Sequence, residues 1–230
     1  MLDLIPSSEV LTEPRRPRGR LRQRCYLCAK RLLDVAVAAG LLLLLAPVFA
    51  LVAVVIRRDS PGPVFFRQTR VGRHGRPFTM YKFRSMRSGA NEAVHREYFL
   101  GLLVAEGAGE APAVFKVPND RRVTRVGRIL RKTSVDELPQ LWNVLRGEMS
   151  LVGPRPPIPY EVEAYEPWMR RRLDVQPGIT GLWQVCGRSR LTVTEMFRLD
   201  IDYVERQSFR LDLRILLLTI PTVLSPKQAA

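Results

Sequence analysis

The sequence predicts a helix-rich α+β fold in which a re-entrant membrane helix near the N-terminus precedes a small cytoplasmic domain with a β-hairpin and interfacial amphipathic helices. Three observations predict it. The uncharged run from Val35 to Ile56, about 22 residues, makes about 33 Å of helix, enough for a bilayer core, and carries Pro47 near its middle. After His74-Gly75, a turn signal, Phe78, Met80, Lys82 and Arg84 alternate with Thr79, Tyr81 and Phe83, which reads as the second arm of a hairpin. Leucine-rich helical faces then recur, the last of them, Ile215 to Leu224, too short to span.

Size and charge bound what those elements can build. A chain of 230 residues, 46% of them hydrophobic, supports one core with appendages rather than two independent domains. With 37 Lys+Arg against 22 Asp+Glu, the net charge of +15 attracts polyanions: nucleic acid, an anionic membrane surface, or phosphorylated small substrates. Three cysteines, Cys25, Cys28 and Cys186, imply no disulfide framework and fit a reducing cytoplasm. Zinc needs four ligands, and the Cys25/Cys28 pair has no second pair to complete a site.

In chain order, residues 1–29 read as a basic mobile tail, drawn to anionic head groups or simply solvated. Residues 30–58 form the membrane helix, at whose entrance Lys30 and Asp34, at i,i+4, are expected to neutralise each other. Basic residues crowd both flanks, from Arg15 to Arg31 and from Arg57 to Arg73, so both ends belong on the cytoplasmic side. Pro47 breaks the run into two halves of about 13 to 18 Å, each half a bilayer. A spanning anchor with a proline kink is the alternative. Residues 59–208 form the catalytic domain: a turn at Ser60-Pro-Gly-Pro, a strand from Val64, the second hairpin arm, an excursion over 89–115 with one short helix, and a basic stretch from Asp120 to Lys132. Residues 209–230 make an interfacial amphipathic helix and tail, with packing onto the core as the alternative.

Two adjacent carboxylates, Asp136 and Glu137, stand in this strongly basic chain. Leu138, Leu141, Trp142 and Leu145 form an apolar helical face that stops before Gly147. Pro139 is tolerated only in a first helical turn, so the helix is expected to begin at about Asp136 rather than at Ser134. At such an N-terminus the dipole and free amides keep both carboxylates ionised. An ionised aspartate can act as a nucleophile, a neighbouring carboxylate can hold Mg²⁺, and Arg131 upstream can stabilise a transferring phosphoryl group. A plain helix cap, with Ser134 and Glu137 as a capping box, is the competing reading.

Several stretches taken together resemble the bacterial sugar transferase family, the monotopic phosphoglycosyl transferases that load hexose-1-phosphate onto polyprenol phosphate. They are KRLLD with the proline-broken apolar run, GPVFFRQTRVG, YKFRSM, TRVGRILRKTSVDELPQLWNVLRGEMSLVGPRP, QPGITGLWQVCGR and RLDIDYV, from about residue 30 to 218. Single pieces are weak, and their order and number make the resemblance specific. It implies a catalytic dyad of Asp136 and Glu137. Asp136 attacks the sugar-bearing phosphate of a UDP-sugar, UMP leaves, and polyprenol (undecaprenyl) phosphate removes the phosphosugar. The resemblance also implies Mg²⁺ on Glu137 and substrate or phosphate contacts from Lys82, Arg131, Arg155 and Arg188, with Asp200 as a further acidic position. Trp183 is a candidate to stack on a base.

The implied partners are a UDP-sugar, polyprenol phosphate and membrane lipids at the cytoplasmic face of a bacterial inner membrane. No nucleic acid is expected, and a homodimer is compatible. Two departures stand out: Ala46 precedes Pro47 where a small polar residue is expected, and the extra spans of longer relatives are missing, so the chain reads as the minimal catalytic form. The implied pathway is exopolysaccharide, capsule or glycoconjugate assembly. Two other classes compete. A membrane-tethered nucleic-acid binder would use the basic segments but lacks a reading helix or aromatic RNA-binding motif, and a non-catalytic scaffold would use the anchor alone.

Overall fold

A computed structural model describes residues 20–87, 93–107, 120, 122–187 and 191–224. Most of the basic tail, the end of the C-terminal tail and Arg188 lie outside them. Helix α1 (Arg20–Leu44) and helix α2 (Ala46–Asp59) meet at Leu45 with a bend of 60°. The break falls where Pro47, in the first turn of α2, removes an amide and restricts the residue before it. Ala46 suffices there. Among the described residues no single helix is long and apolar enough to cross a membrane, and only the bent pair together passes that test.

The hairpin forms as expected. Strand β1 (Phe65–Val71) pairs antiparallel with β2 (Pro77–Phe83), with Phe66 opposite Lys82, around a short 3-10 turn, Arg73–Gly75. β1 starts at Phe65, one residue after Val64, whose side chain is buried with Ile56 of α2 and whose carbonyl still accepts from the Arg84 amide at 2.9 Å. The excursion contains helix α3 (Ala93–Gly107). Helix α4 (Arg125–Thr133) is opened by Thr124, whose hydroxyl accepts from the amide of Gly127. A Cβ at Gly127 would come within 1.9 Å of the Ser85 carbonyl, so glycine is what lets α4 lie against the end of β2.

After α4 come a 3-10 turn, Val135–Glu137, and helix α5 (Gln140–Leu145). Strand β3 (Ser150–Val152) pairs in parallel with β4 (Gly178–Thr180), enclosing helix α6 (Pro159–Glu163) and a 3-10 segment, Met169–Asp174. Helices α7 (Leu182–Cys186), α8 (Val193–Arg206) and α9 (Phe209–Leu224) complete the fold.

The bent helix pair is part of the domain's core. Ile56, Val64, Phe83 and Leu130 are buried together, with Phe49, Val52 and Val135 packed around them. Each such fully buried large side chain contributes about 1.5–3 kcal/mol. Polar contacts reinforce the seat, and they overturn the expected Lys30–Asp34 pair. Lys30 Nζ donates instead to Asp212 Oδ2 of α9 at 2.9 Å, while Asp34 Oδ1 accepts from the amide of Leu151 in β3 at 3.0 Å. Both side chains are buried, so each is held by a partner distant in the chain that also satisfies its desolvated polar atoms. Arg31 donates to the carbonyls of Val144 and Leu145 at the C-terminal end of α5, at 2.6 and 2.8 Å.

At the far end of α2, buried Arg84 donates to the carbonyls of Pro61, Ser60 and Ile56. Helix α9 packs onto the core along one face, the alternative reading of the C-terminal segment, and leaves an apolar face exposed. Asp212 and Ile215 are buried against the domain, whereas Phe209, Leu213, Leu217 and Ile220 form an exposed apolar stripe.

Candidate active site

The dyad does not head a helix. Regular helix begins at Gln140, and Asp136 and Glu137 occupy the 3-10 turn between α4 and α5. The turn forms because Ser134 takes a left-handed conformation (φ 56°) that ends α4, while Pro139 delays the next helix. Val135 packs into the core shared with α2, which fixes the turn against that helix.

Around that turn the structure gathers the predicted cations. Lys82 Nζ, on β2, donates to Glu137 Oε1 at 2.9 Å, and Gln140 Nε2 donates to Oε2 at 3.1 Å. Burial pushes the Glu137 carboxyl up, but Lys82, Arg155 and these hydrogen bonds outweigh it and hold the group down at about 2. Glu137 is therefore ionised at neutral pH, with a side chain still 36% exposed.

Asp136 is only 8% exposed. Arg131, on α4, lies within electrostatic range of it: burial lowers the guanidinium's pKa, and the charges of Asp136 and Asp120 oppose that shift. Its Nε donates to Ser85 Oγ at 2.9 Å, which fixes its direction. Lys82 is placed by Asn143, a fully buried side chain that accepts from the Tyr81 amide and donates to the Thr79 carbonyl, tying α5 to β2.

Arg155 sits in the loop after β3 and lines a small cavity with Glu161, Arg172, Trp183, Phe197 and Asp200. Its charge is felt by Glu137, Arg70 and Asp200, so it joins the two groups of residues. Asp200 is placed differently from the rest. Only 1% exposed, on α8, it accepts from Arg172 Nη2, and it stands beside Arg155 rather than at the dyad. Burial pushes its carboxyl above the usual range and the paired guanidinium pulls against that. Trp183 is 8% exposed, packed in a cluster with Tyr165, Met196 and Phe197. Arg188 lies outside the described residues. The reading of single residues missed Ser85, Gln140 and Asn143, although Ser85 falls inside YKFRSM and Gln140 and Asn143 inside TRVGRILRKTSVDELPQLWNVLRGEMSLVGPRP.

This arrangement offers a nearly buried carboxylate, an ionised neighbour and three cations within electrostatic range, at a turn packed against the apolar helix α2. A scan of family models matches the bacterial sugar transferase family over residues 25–226. The chain belongs to that family.

Individual relatives of this sugar transferase agree. It is 45% identical over 205 residues to a galactosyl transferase, CpsE, of Streptococcus agalactiae, covering 86% of this chain and 43% of the relative. It is 43% identical over 237 aligned residues to the UDP-glucose:undecaprenyl-phosphate glucose-1-phosphate transferase of Caulobacter vibrioides, covering 99% of this chain and 81% of the relative. It is 40% identical over 209 residues to the undecaprenyl-phosphate galactose phosphotransferase of Salmonella typhimurium, covering 91% and 43% respectively. The chain thus spans less than half of two of these relatives and most of the third.

The donor set also fits a hard cation. Among the described residues no group of three or more His, Cys, Asp or Glu forms a cage. Mg²⁺ is commonly held by one or two carboxylates with substrate phosphates and water completing the shell, and Glu137, whose side chain is 36% exposed, is the carboxylate that would take that place.

Proposed function

We propose that the protein transfers a sugar-1-phosphate from a UDP-sugar to polyprenol (undecaprenyl) phosphate, the first membrane step in building an exopolysaccharide, capsule or other glycoconjugate. The single observation that carries this is the dyad turn, with Lys82, Arg131 and Arg155 converging on it in a chain of this family.

In this reading an Asp136 carboxylate oxygen attacks the sugar-bearing phosphorus, the bond to the bridging oxygen breaks, and UMP leaves with that oxygen. An oxygen of polyprenol phosphate then attacks the same phosphorus, releasing the aspartate and forming a lipid-linked diphosphosugar. Arg131 and Arg155 stabilise the charge spread over the transferring group, and Lys82 fixes Glu137. Glu137 would hold Mg²⁺ together with the substrate phosphates, and the ion supplies further neutralisation of the diphosphate. The bent α1–α2 pair would enter and leave the membrane from the cytoplasmic face. The exposed residues Leu43, Leu44, Leu51, Val54 and Val55, and the stripe on α9, would contact lipid. The family match and the relatives' activities favour an enzyme over a nucleic-acid binder or scaffold.

The test is UMP release from a panel of UDP-sugars in vesicles containing polyprenol phosphate, for the unsubstituted protein and Asp136→Asn. The substitution is expected to cut turnover by at least about 10⁴-fold while membrane binding is retained. Mass analysis of the quenched unsubstituted enzyme should show a hexose-phosphate on the peptide bearing Asp136. Turnover that survives the substitution, or an adduct on another residue, would refute the mechanism.

A further inference from the structure

The loop that carries Arg155, Gly153 to Pro159, holds four prolines in seven residues. Proline has no amide hydrogen, so this loop is rich in acceptors and poor in donors, and its carbonyls must find donors elsewhere. Each carbonyl from Pro154 to Ile158 does so. Pro154 accepts from the Gly178 amide at 2.9 Å, Pro157 from the Val71 amide at 2.9 Å, and Ile158 from the Glu161 amide at 3.0 Å. The two in between are taken by charges. The Arg155 carbonyl accepts from Arg172 Nη2 at 3.0 Å, and the Pro156 carbonyl from Arg70 Nη1 at 2.9 Å.

Neutral backbone amides serve the outer carbonyls, so two guanidiniums are more than hydrogen bonding requires. Both are buried, at 4% and 8% exposure, and the Nε of each has no hydrogen-bond partner among the described residues. Burial, followed by the charge of Arg155 itself, lowers the pKa of Arg70 to about 10. Arg172 is compensated by its ion pair with Asp200, so the cost falls on Arg70, a buried cation placed beside Arg155 where a neutral strap would have served. The arrangement makes sense as a rigid two-point grip on the backbone that carries one side chain which must face an anion.

We propose that Arg70 and Arg172 are positioning residues for Arg155. They clamp its own carbonyl and the next one from opposite elements, β1 and the 3-10 segment Met169–Asp174, and so aim its guanidinium at the diphosphate of the nucleotide sugar. Neither touches the substrate. Arg70 is oriented in turn by Gln68 Oε1, which accepts from its Nη2 at 2.7 Å, and Arg172 by Asp200 and the Tyr165 hydroxyl. The inference rests on the transferase reading, with Arg155 as a diphosphate contact.

A double-mutant cycle between Arg70 and Arg155 in the full-length protein in vesicles tests it. Arg70→Gln is expected to raise KM for the UDP-sugar about tenfold, with kcat within about twofold and KM for polyprenol phosphate unchanged. In an Arg155→Ala background the same change should alter KM by less than about twofold, because the group it positions is gone. A tenfold rise in both backgrounds, or an equal rise for both substrates, overturns the proposal. If Arg70→Gln does not fold, Arg70→Lys, which keeps the charge but loses the fork, is read in the same cycle. Absence of UMP release from every UDP-sugar tried overturns the transferase reading as well, and is told apart because it appears in the unsubstituted protein.

Discussion

Two acid–base pairs lie on either side of Arg155, and they are built to opposite specifications. Glu137 and Lys82 meet with side chains 36% and 19% exposed, on a turn and a strand end. Asp200 and Arg172 meet with side chains 1% and 8% exposed, enclosed by Tyr165 and Phe197. The open pair can exchange a partner for a phosphate or a cation without stranding a charge in an apolar medium. The closed pair cannot, since losing either member leaves an uncompensated buried charge. The same chemistry thus leaves one pair open to exchange and locks the other in place.

The contrast breaks hardest at the closed pair. Asp200→Ala should cost about 3–5 kcal/mol of stability, measured by thermal or denaturant unfolding, whereas Asp200→Leu with Arg172→Met should recover much of it. A loss below about 1 kcal/mol for the single change would show that the pair is hydrated. At the open pair, Lys82→Met should lower turnover by about 10- to 100-fold and move stability by less than about 1 kcal/mol, checked by UMP release and unfolding of one preparation.

The smallest effect is on pH. Because the folded carboxyl of Glu137 is held at about 2, below the ordinary 4.5, its interaction with Lys82 is fully present above pH 4.5 and fades as pH falls toward 2. Carbon NMR of the Glu137 carboxyl should show no titration between pH 7 and 5, and Lys82→Met should raise its midpoint.

What the sequence revealed and what it hid follow the range of the forces involved. The bend at Leu45 and the hairpin were legible because Pro47 and the alternation from Phe78 to Arg84 act within a few residues. The parallel pairing of β3 with β4 was not, because three-residue strands carry no periodicity and their register is fixed by distant packing. Lys30 and Asp34 look like helix neighbours that pair, yet each is claimed by a buried group more than 100 positions away. The dyad was legible as a motif but misplaced by one turn, since the αL residue Ser134 leaves a local signal too weak to locate. Asp200 reads as acidic in any sequence, and only the packing of α8 shows that it faces Arg172 rather than the dyad.

Arg84 follows Lys82 by two residues on the chain emerging from β2, and one grips the terminal carbonyls of the apolar helix while the other grips Glu137. In the proposed membrane reading, how deep the bent pair sits and how the dyad is aligned would therefore be a single mechanical coordinate. A greasy co-substrate confined to two dimensions would then meet the dyad at one fixed height, whatever thermal undulation the surrounding sheet of lipid undergoes.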